Sequence, residues 1–369
     1  MQTNPVISAS MSNFSSPEWD KKFRSILADI EQNKCVVLIG PELVNIGNRT
    51  LREVLRRQLQ QSNPTDIVHY YDRDDFFLFT DKIAKEDVRR EIVLFYEKHH
   101  TATDVDESIF LDIARLKTHL VLSINPDRFL SNTAFKHGIK HRFAYFQHGG
   151  EAVQEVETPS IDMPLYYNIF GSLEKDESLV LEYDDLFKLL TALLGTPGLP
   201  PNLALSLQQA KHFLFVGFDF EKWYSQLLLR LLSGEKAIRK FAIDHSKKNE
   251  STTIFLVKQF GIEFIDDEKL FWAELIRRAE AAGSVRQTSQ LHRSEAIQAV
   301  RFLASGQLLE ALNFLHQHES FREPSTRLLA RYHDLREREV RNYADPYEVA
   351  TELNRIVDAT LETLTAQPA

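Results

Sequence analysis

The chain has 369 residues, of which 43% are hydrophobic and 26% are charged, and its formal net charge is −9. At roughly 100 to 200 residues per domain, this length predicts two or three domains with ordinary globular cores. The acidic balance argues against nucleic acid as a partner, because no domain-wide positive field exists to attract phosphates. The single cysteine, Cys35, excludes an internal disulfide, and no apolar run approaches 18 residues, so we predict a cytoplasmic protein with no membrane partner.

The N-terminal part of the chain predicts a tail followed by the start of an α/β domain. Residues 1–18 are polar and rich in Ser and Asn, which favours a disordered tail. Residues 19–30 carry apolar side chains at helical spacing, and the continuous apolar run 35–39 predicts a buried strand. A second helix is predicted over 50–60. Strand, tight turn and helix in this order are typical of the first unit of a doubly wound domain.

Apolar runs of strand length alternate with helical patterns up to residue 282. Strands are predicted at 119–124, 165–170, 212–217, 241–244 and 262–265, and helices at 85–98, 107–116, 183–194, 220–232, 251–260 and 269–282. Continuous apolar strands separated by helices predict a sheet covered on both faces. The predicted fold class is therefore α/β, a Rossmann-type, doubly wound, mostly parallel sheet over residues 19–282.

The remainder of the chain has a different composition. Residues 283–291 lack apolar periodicity and predict a linker. From residue 285 onward there is no lysine, and all ten basic residues are arginine. Helices are predicted at 294–304, 308–318, 325–339 and 347–364. We therefore predict a small all-α bundle over residues 292–369.

Residues that follow the predicted strands are the candidate site, because ligands bind beyond the carboxyl ends of parallel strands. They are Gly40, Glu42, Ser123, Asn125, Asp127, Phe170, Gly171, Ser172, Gly217 and Asp219. Glycine at such positions permits a close approach between ligand and backbone. The alternative is that strand ends need turn residues whatever they bind.

These residues fall into four short motifs, at 40–42, 123–127, 167–172 and 213–219. The order and spacing of the motifs resemble the sirtuin-like domains of bacterial anti-phage proteins, over roughly residues 19–282. The resemblance implies a Rossmann-type domain that binds NAD or ADP-ribose, in which Gly217 to Asp219 line the adenosine side. Active members of the family hydrolyse NAD to nicotinamide and ADP-ribose. Because Cys35 has no metal-ligand partner nearby in the sequence, no metal site is predicted.

The first two motifs keep part of the family pattern. Where the family has Gly-Ala-Gly, this chain has Gly40-Pro41-Glu42, which removes one N–H donor, adds a carboxylate and predicts weaker dinucleotide binding. Asn125 and Asp127 match the family's Asn and Asp, for which the resemblance implies positioning of the ribose and nicotinamide and ordering of the loop. The alternative is an Asx turn that starts the next helix.

The third motif bears on catalysis. Phe170 stands where the family has a histidine that acts as general base, and phenylalanine cannot accept a proton. General base catalysis typically contributes about 10² to 10⁴ in rate, so we predict a degraded catalytic site with Asn125 and Asp127 as the remaining candidates. Histidines elsewhere are assigned to surface or loop positions, because none follows a predicted strand at the matching place; they are His99, His100, His137, His141, His148 and His212.

The helical region 292–369 resembles one class of bacterial effector-associated domains. The resemblance implies an adaptor that docks a protein partner carrying a similar domain; the alternative is a generic bundle that pairs two copies of the chain. The predicted function is an NAD- or ADP-ribose-binding module of a bacterial conflict or anti-phage defence system. An active NAD glycohydrolase that depletes NAD, and a scaffold that binds no ligand, are the alternatives.

Overall fold

The computed structural model describes residues 14–100, 105–149, 155–233, 238–243, 250–265, 267–288, 299, 302–303, 307–317, 322–340 and 346–365. The chain forms two compact units. The first unit comprises the described parts of 1–131 and 141–286, and the second comprises 132–140 with the described parts of 287–369.

The described strands all belong to the first unit. In chain order they are β1 (Cys35–Ile39), β2 (Asn45–Ile46), β3 (Arg49–Thr50), β4 (Ile67–Tyr71), β5 (Phe76–Phe79), β6 (Leu120–Ser123), β7 (Arg142–Tyr145), β8 (Leu165–Asn168), β9 (His212–Val216), β10 (Arg239–Ile243) and β11 (Ile262–Ile265). Seven of them form one sheet in the order β11-β10-β9-β1-β6-β8-β7, and every neighbouring pair is parallel. The other strands form two antiparallel ribbons, β2–β3 and β4–β5.

The helices up to residue 286 alternate with these strands. They are α1 (Pro17–Glu31), α2 (Leu51–Ser62), α3 (Lys82–His100), α4 (Ser108–Arg115), α5 (Phe129–Lys136), α6 (Tyr183–Leu194), α7 (Pro201–Gln209), α8 (Trp223–Ser233), α9 (Glu250–Phe255) and α10 (Glu268–Ala282). All five residues of β1 are buried. Val36 and Leu38 share one apolar core with buried residues of α6, α7 and α8, and because side chains alternate along a strand, Val37 points to the opposite face. This two-sided burial explains why the strand is a continuous apolar run.

Within its described residues, the C-terminal part of the second unit forms the helices α11 (Leu308–Gln317), α12 (Arg322–Val340) and α13 (Pro346–Thr365). Their shared core consists of Leu308, Leu312, Leu328, Leu335, Val349 and Ile356. Of the helix predicted at 294–304, only residues 299, 302 and 303 lie within the described residues. The fold class predicted from the sequence, a Rossmann-type parallel sheet followed by a helical bundle, is confirmed.

Several boundaries and elements differ from the sequence prediction. Helix α1 begins at Pro17, inside the predicted tail, because the Ser16 side chain accepts a hydrogen bond from the Trp19 amide (3.3 Å) and Phe14 is buried. The predicted helix 220–232 begins only at Trp223. The predicted helix 251–260 is α-helical to Phe255 and continues as a π-helical turn to Phe260. The β4–β5 hairpin, β7, α5 and α7 were not predicted.

No helix in the described part of the chain is both long enough and apolar enough to cross a membrane.

Candidate functional site

A cleft lies beyond the carboxyl ends of β1, β6 and β8 in the first unit. Strand β1 lies between β6 and β9, so the chain crosses over in opposite directions on its two sides. Ligands of doubly wound sheets bind beyond the strand ends at such a switch point. The described lining residues are Pro41, Val44, Leu51, Arg52, Leu55, Arg56, Tyr70, Asp75, Phe77, Ile92, Tyr96, Ile124, Asn125, Pro126, Asp127, Phe170, Leu179, Val180 and Leu181.

Three of the residues predicted from the sequence line this cleft: Asn125, Asp127 and Phe170. The others lie in the same strand-end loops but outside the lining; they are Gly40, Glu42, Ser123, Gly171, Ser172, Gly217 and Asp219. The strand-end rule therefore located the edge of the sheet at which the cleft opens. It did not separate the residues that face the cleft from those that support it.

The loops after β1 and β9 pack against each other through their backbones. The Gly40 amide donates to Val216 O (2.8 Å) and the Glu42 amide donates to Gly217 O (2.9 Å). A Cβ on Gly40 would lie 2.2 Å from Gly217 O, so this contact requires glycine. Because Pro41 has no N–H, none of the three consecutive residues 40–42 offers an amide to a ligand. The backbone cradle that usually holds a pyrophosphate does not fit this loop.

The glycine after β8, Gly171, is also required by its backbone and its close contacts. Gly171 has φ +84° and a Cβ there would lie 2.0 Å from Ser178 O. The neighbouring Ser172 amide donates to Ser178 Oγ (2.9 Å), and both serines are buried. After β9, Asp219 Oδ1 accepts from the Glu221 amide (2.9 Å) and so shapes the loop before α8. These contacts favour the turn interpretation for Gly171, Ser172 and Asp219.

The loop after β6 combines turn geometry with exposure to the cleft. Ser123 Oγ accepts from the Asn125 amide (3.0 Å), and the Asn125 side-chain amide donates to Gly40 O (3.0 Å). Asp127 Oδ1 accepts from the amide of Phe129, the first residue of α5 (3.0 Å). Asn168, which was not among the predicted site residues, donates to Asp127 O (2.8 Å). Asn125 thus ties two strand-end loops together, and Asp127 starts the next helix, as the Asx-turn alternative expects.

Asp127 is a buried carboxyl group in the cleft wall. Burial raises its pKa to about 6, while the hydrogen bond from Phe129 acts in the opposite direction. Tyr96 lines the same cleft, and burial together with the charge of Asp127 raises the pKa of its hydroxyl. A carboxyl group that titrates near neutrality can accept or release a proton under physiological conditions. Phe170, in contrast, is buried with its ring 5.9 Å from that of Tyr224.

Two histidines lie closer to this region than the sequence predicted. His148 follows β7, a strand that was not predicted, at the carboxyl edge of the sheet. Burial lowers the pKa of His148. His100 Nε2 accepts from the Arg128 amide (3.3 Å), next to Asp127. Neither histidine is among the described residues that line the cleft.

A second polar cluster was missed in the sequence: Arg52, Tyr70 and Asp75, which line the cleft, and Lys222 behind them. Tyr70 donates to Asp75 Oδ1 (2.6 Å), and Arg52 Nη1 lies 3.3 Å from Asp75 Oδ2. Lys222 Nζ contacts the same carboxylate oxygen. Burial lowers the pKa of Lys222 to about 7, and the neighbouring Arg52 charge acts in the same direction. The only local signal was that Lys222 follows the Gly217–Asp219 motif by three residues.

Residues 119–265, which run from the residue before β6 to the end of β11, match the family model of the SIR2-like domain. This segment of the chain is similar to SIR2-like domains. The match covers 147 of the 369 residues (265 − 119 + 1) and excludes β1 and the loop after it. A comparison with curated proteins found no match.

SIR2-like domains bind NAD, so the match connects this segment with an NAD-related ligand. The cleft is lined by apolar and aromatic side chains, by the Asn125 and Asp127 side chains, and by Arg52 and Arg56. Side chains, not backbone amides of 40–42, would have to meet a pyrophosphate. No group of three or more His, Cys, Asp or Glu side chains among the described residues could hold a metal ion.

Proposed function

We propose that the chain binds NAD or ADP-ribose in the cleft at the carboxyl edge of its sheet, with its catalytic machinery degraded. The observation that carries the proposal is that Asn125 and Asp127 line one cleft with Arg52, in a segment similar to SIR2-like domains. Phe170 lines the same cleft at the position where the family resemblance implies a general base. An aromatic side chain there retains an apolar wall for a ligand but removes the proton acceptor.

We extend the proposal to the setting of the protein. The chain acts in a bacterial conflict or anti-phage defence system, and its C-terminal helical unit docks a partner that carries a similar domain. The support for both statements is the motif resemblance, together with a separate apolar core in the helical unit. Arg331 and Arg355 both contact Glu352 on the surface of that unit (2.6 and 3.3 Å), and such charges set register and partner choice more than affinity.

Calorimetry with NAD and ADP-ribose tests the binding proposal. We expect micromolar to millimolar dissociation constants for the wild-type chain and at least about tenfold weaker binding for Asn125→Ala. Asn202→Ala is the matched control, because Asn202 also donates its side-chain amide to a backbone carbonyl, Val156 O (2.8 Å), but lies outside the cleft. Absence of binding by wild type up to millimolar ligand would contradict the proposal and favour a scaffold.

The degraded-site proposal has its own test. We expect no nicotinamide release from NAD by the wild-type chain, with or without its partner, and measurable release by Phe170→His, which restores a proton acceptor in the cleft. Turnover by wild type that Asn125→Ala abolishes would contradict this part of the proposal.

One observation favours a second candidate, an active NAD glycohydrolase. Asp127 has a pKa of about 6 and lines the cleft, so it is a carboxyl group that can serve as general base at neutral pH. This candidate predicts a rate of nicotinamide release that rises with pH through about 6, because the base must be deprotonated. The rate should be lost in Asp127→Asn and kept in Asp87→Asn, which changes an exposed carboxylate paired with Arg90.

A further inference from the structure

Asp75 lies at the tip of the β4–β5 hairpin, and its carboxylate is held by three side-chain donors. Tyr70 reaches it from the same hairpin, Arg52 from the first turn of α2, and Lys222 from the loop before α8. The Asp75 side chain is 15% exposed and that of Lys222 is 6% exposed. Three elements distant in the sequence therefore converge on one buried anion.

The backbone at this tip is adapted to the contact. Asp75 has φ +60°, in the left-handed region that most residues with a Cβ avoid and that Asn and Asp tolerate best. The Phe77 amide donates to Leu181 O (2.9 Å), and Tyr183 donates to Asp74 Oδ2 (2.6 Å), so the hairpin is also anchored beside its tip. Loss of the Asp75 contacts would therefore free the tip of the hairpin more than its body.

The position of the cluster suggests what else could bind there. Arg52, Tyr70 and Asp75 line the cleft, next to the 40–42 loop whose amides are absent or already bonded. A phosphate-bearing ligand in this cleft needs donors, and Arg52 with Lys222 would supply them. Asp75 already bonds to both, and a phosphate oxygen and a carboxylate repel each other at the same position.

We infer that Arg52, Lys222 and Tyr70 form a side-chain anion site which Asp75 occupies as an internal ligand, and that a phosphate group of an incoming ligand competes with Asp75 for it. The site takes the place of the backbone cradle that residues 40–42 do not provide. For NAD and ADP-ribose the inference rests on the function proposed above, whereas for inorganic pyrophosphate it stands independently. Binding of the phosphate releases the hairpin tip.

Titration with inorganic pyrophosphate tests the inference on the full chain. Asp75→Asn removes the competing charge but keeps a residue that tolerates the left-handed backbone, so we expect pyrophosphate to bind about tenfold tighter or more than to wild type. Adding Arg52→Gln to Asp75→Asn should abolish the gain. Asp87→Asn is the matched control, because Asp87 is an exposed carboxylate that pairs with Arg90, and neither residue lines the cleft. The pyrophosphate affinity of this control variant should stay within about twofold of the wild-type value.

A second measurement does not depend on the Asp75 variant folding. Hydrogen exchange of wild type should show faster exchange of the amides around residues 72–76 when pyrophosphate is added. Equal pyrophosphate affinity in wild type, Asp75→Asn and Arg52→Gln, or unchanged exchange at the tip with pyrophosphate bound, would overturn the inference. If Asp75→Asn gains affinity for pyrophosphate and neither protein binds NAD or ADP-ribose, the anion site stands and the proposed function fails.

Discussion

The two edges of the central sheet both bury titratable side chains, but in different ways. At the amino edge, Cys35 of β1 lies beside His212 of β9, and His212 Nδ1 lies 2.6 Å from Asp29 Oδ2. His119 immediately precedes β6 at the same edge, and burial lowers the pKa values of both histidines. None of these residues is among those that line the cleft.

At the carboxyl edge, burial moves the pKa of Asp127 up to about 6 and that of Lys222 down to about 7. Asp127 faces the cleft, and Lys222 contacts a residue that does. The comparison teaches that a buried ionisable group indicates function only where a cleft gives a ligand access to it.

The largest effect on the free energy of unfolding should come from Gly40, in the loop after β1 at the carboxyl edge. Gly40→Ala places a Cβ 2.2 Å from Gly217 O, so we expect a loss of more than about 3 kcal/mol in the free energy of unfolding. Denaturant unfolding measures the loss. Gly149→Ala is the control, because a Cβ there meets nothing within 4 Å and the variant should stay within about 0.5 kcal/mol of wild type. A mild effect of Gly40→Ala would mean that the loop glycine is kept for ligand access.

The next effect concerns acid stability at the amino edge. The folded pKa of His119 is about 4, below its ordinary value of 6.5. Because the folded pKa is depressed, the unfolded chain binds more protons between these values, and stability present above pH 6.5 is lost as the pH falls through 4. We expect this residue to account for about 3 kcal/mol of the loss.

Unfolding of wild type and His119→Phe, followed from about pH 7 to about pH 4, checks this expectation. The variant should lose less stability than wild type over that interval, whereas His69→Phe, at an exposed position, should follow the wild-type curve. Parallel curves for wild type and His119→Phe would show that the buried ring does not control the acid response.

The smallest effect has the opposite sign and concerns Asp127. Its folded pKa of about 6 lies above the ordinary 3.8, so protonation favours the folded chain and that advantage is lost as the pH rises through 6. Asp127→Asn keeps an acceptor for the Phe129 amide without the buried charge, and we expect it to raise stability at about pH 7.5 by about 2 kcal/mol. Thermal unfolding at about pH 7.5 and about pH 4 measures the gain, which should shrink at the lower pH. If Asp127→Asn is instead less stable than wild type at the higher pH, the expectation that the buried Asp127 charge lowers stability is wrong.

Much of the fold follows from local patterns. The bounds of β1, β11 and α6 agree with the prediction, because β1 is a continuous apolar run and α6 buries one face at helical spacing. Strands β4 and β7 were missed for a common reason, whereas β5 (Phe76–Phe79) is an apolar run that the prediction overlooked. Strand β7 has a single buried residue, and buried and exposed residues alternate irregularly along β4. Neither strand therefore carries the apolar run by which the other strands were recognised.

The sequence by itself placed Asn125, Asp127 and Phe170 at the ends of strands, and the strand-end rule was enough to bring them to one edge. Only the tertiary structure decided that the close approach of Gly217 O requires glycine at position 40, and that Arg52 and Lys222 meet at Asp75. These contacts join residues far apart along the chain, through crossovers and a hairpin that leave no local period. Periodicity records which face of an element is buried, whereas pairing of charges depends on which elements become neighbours.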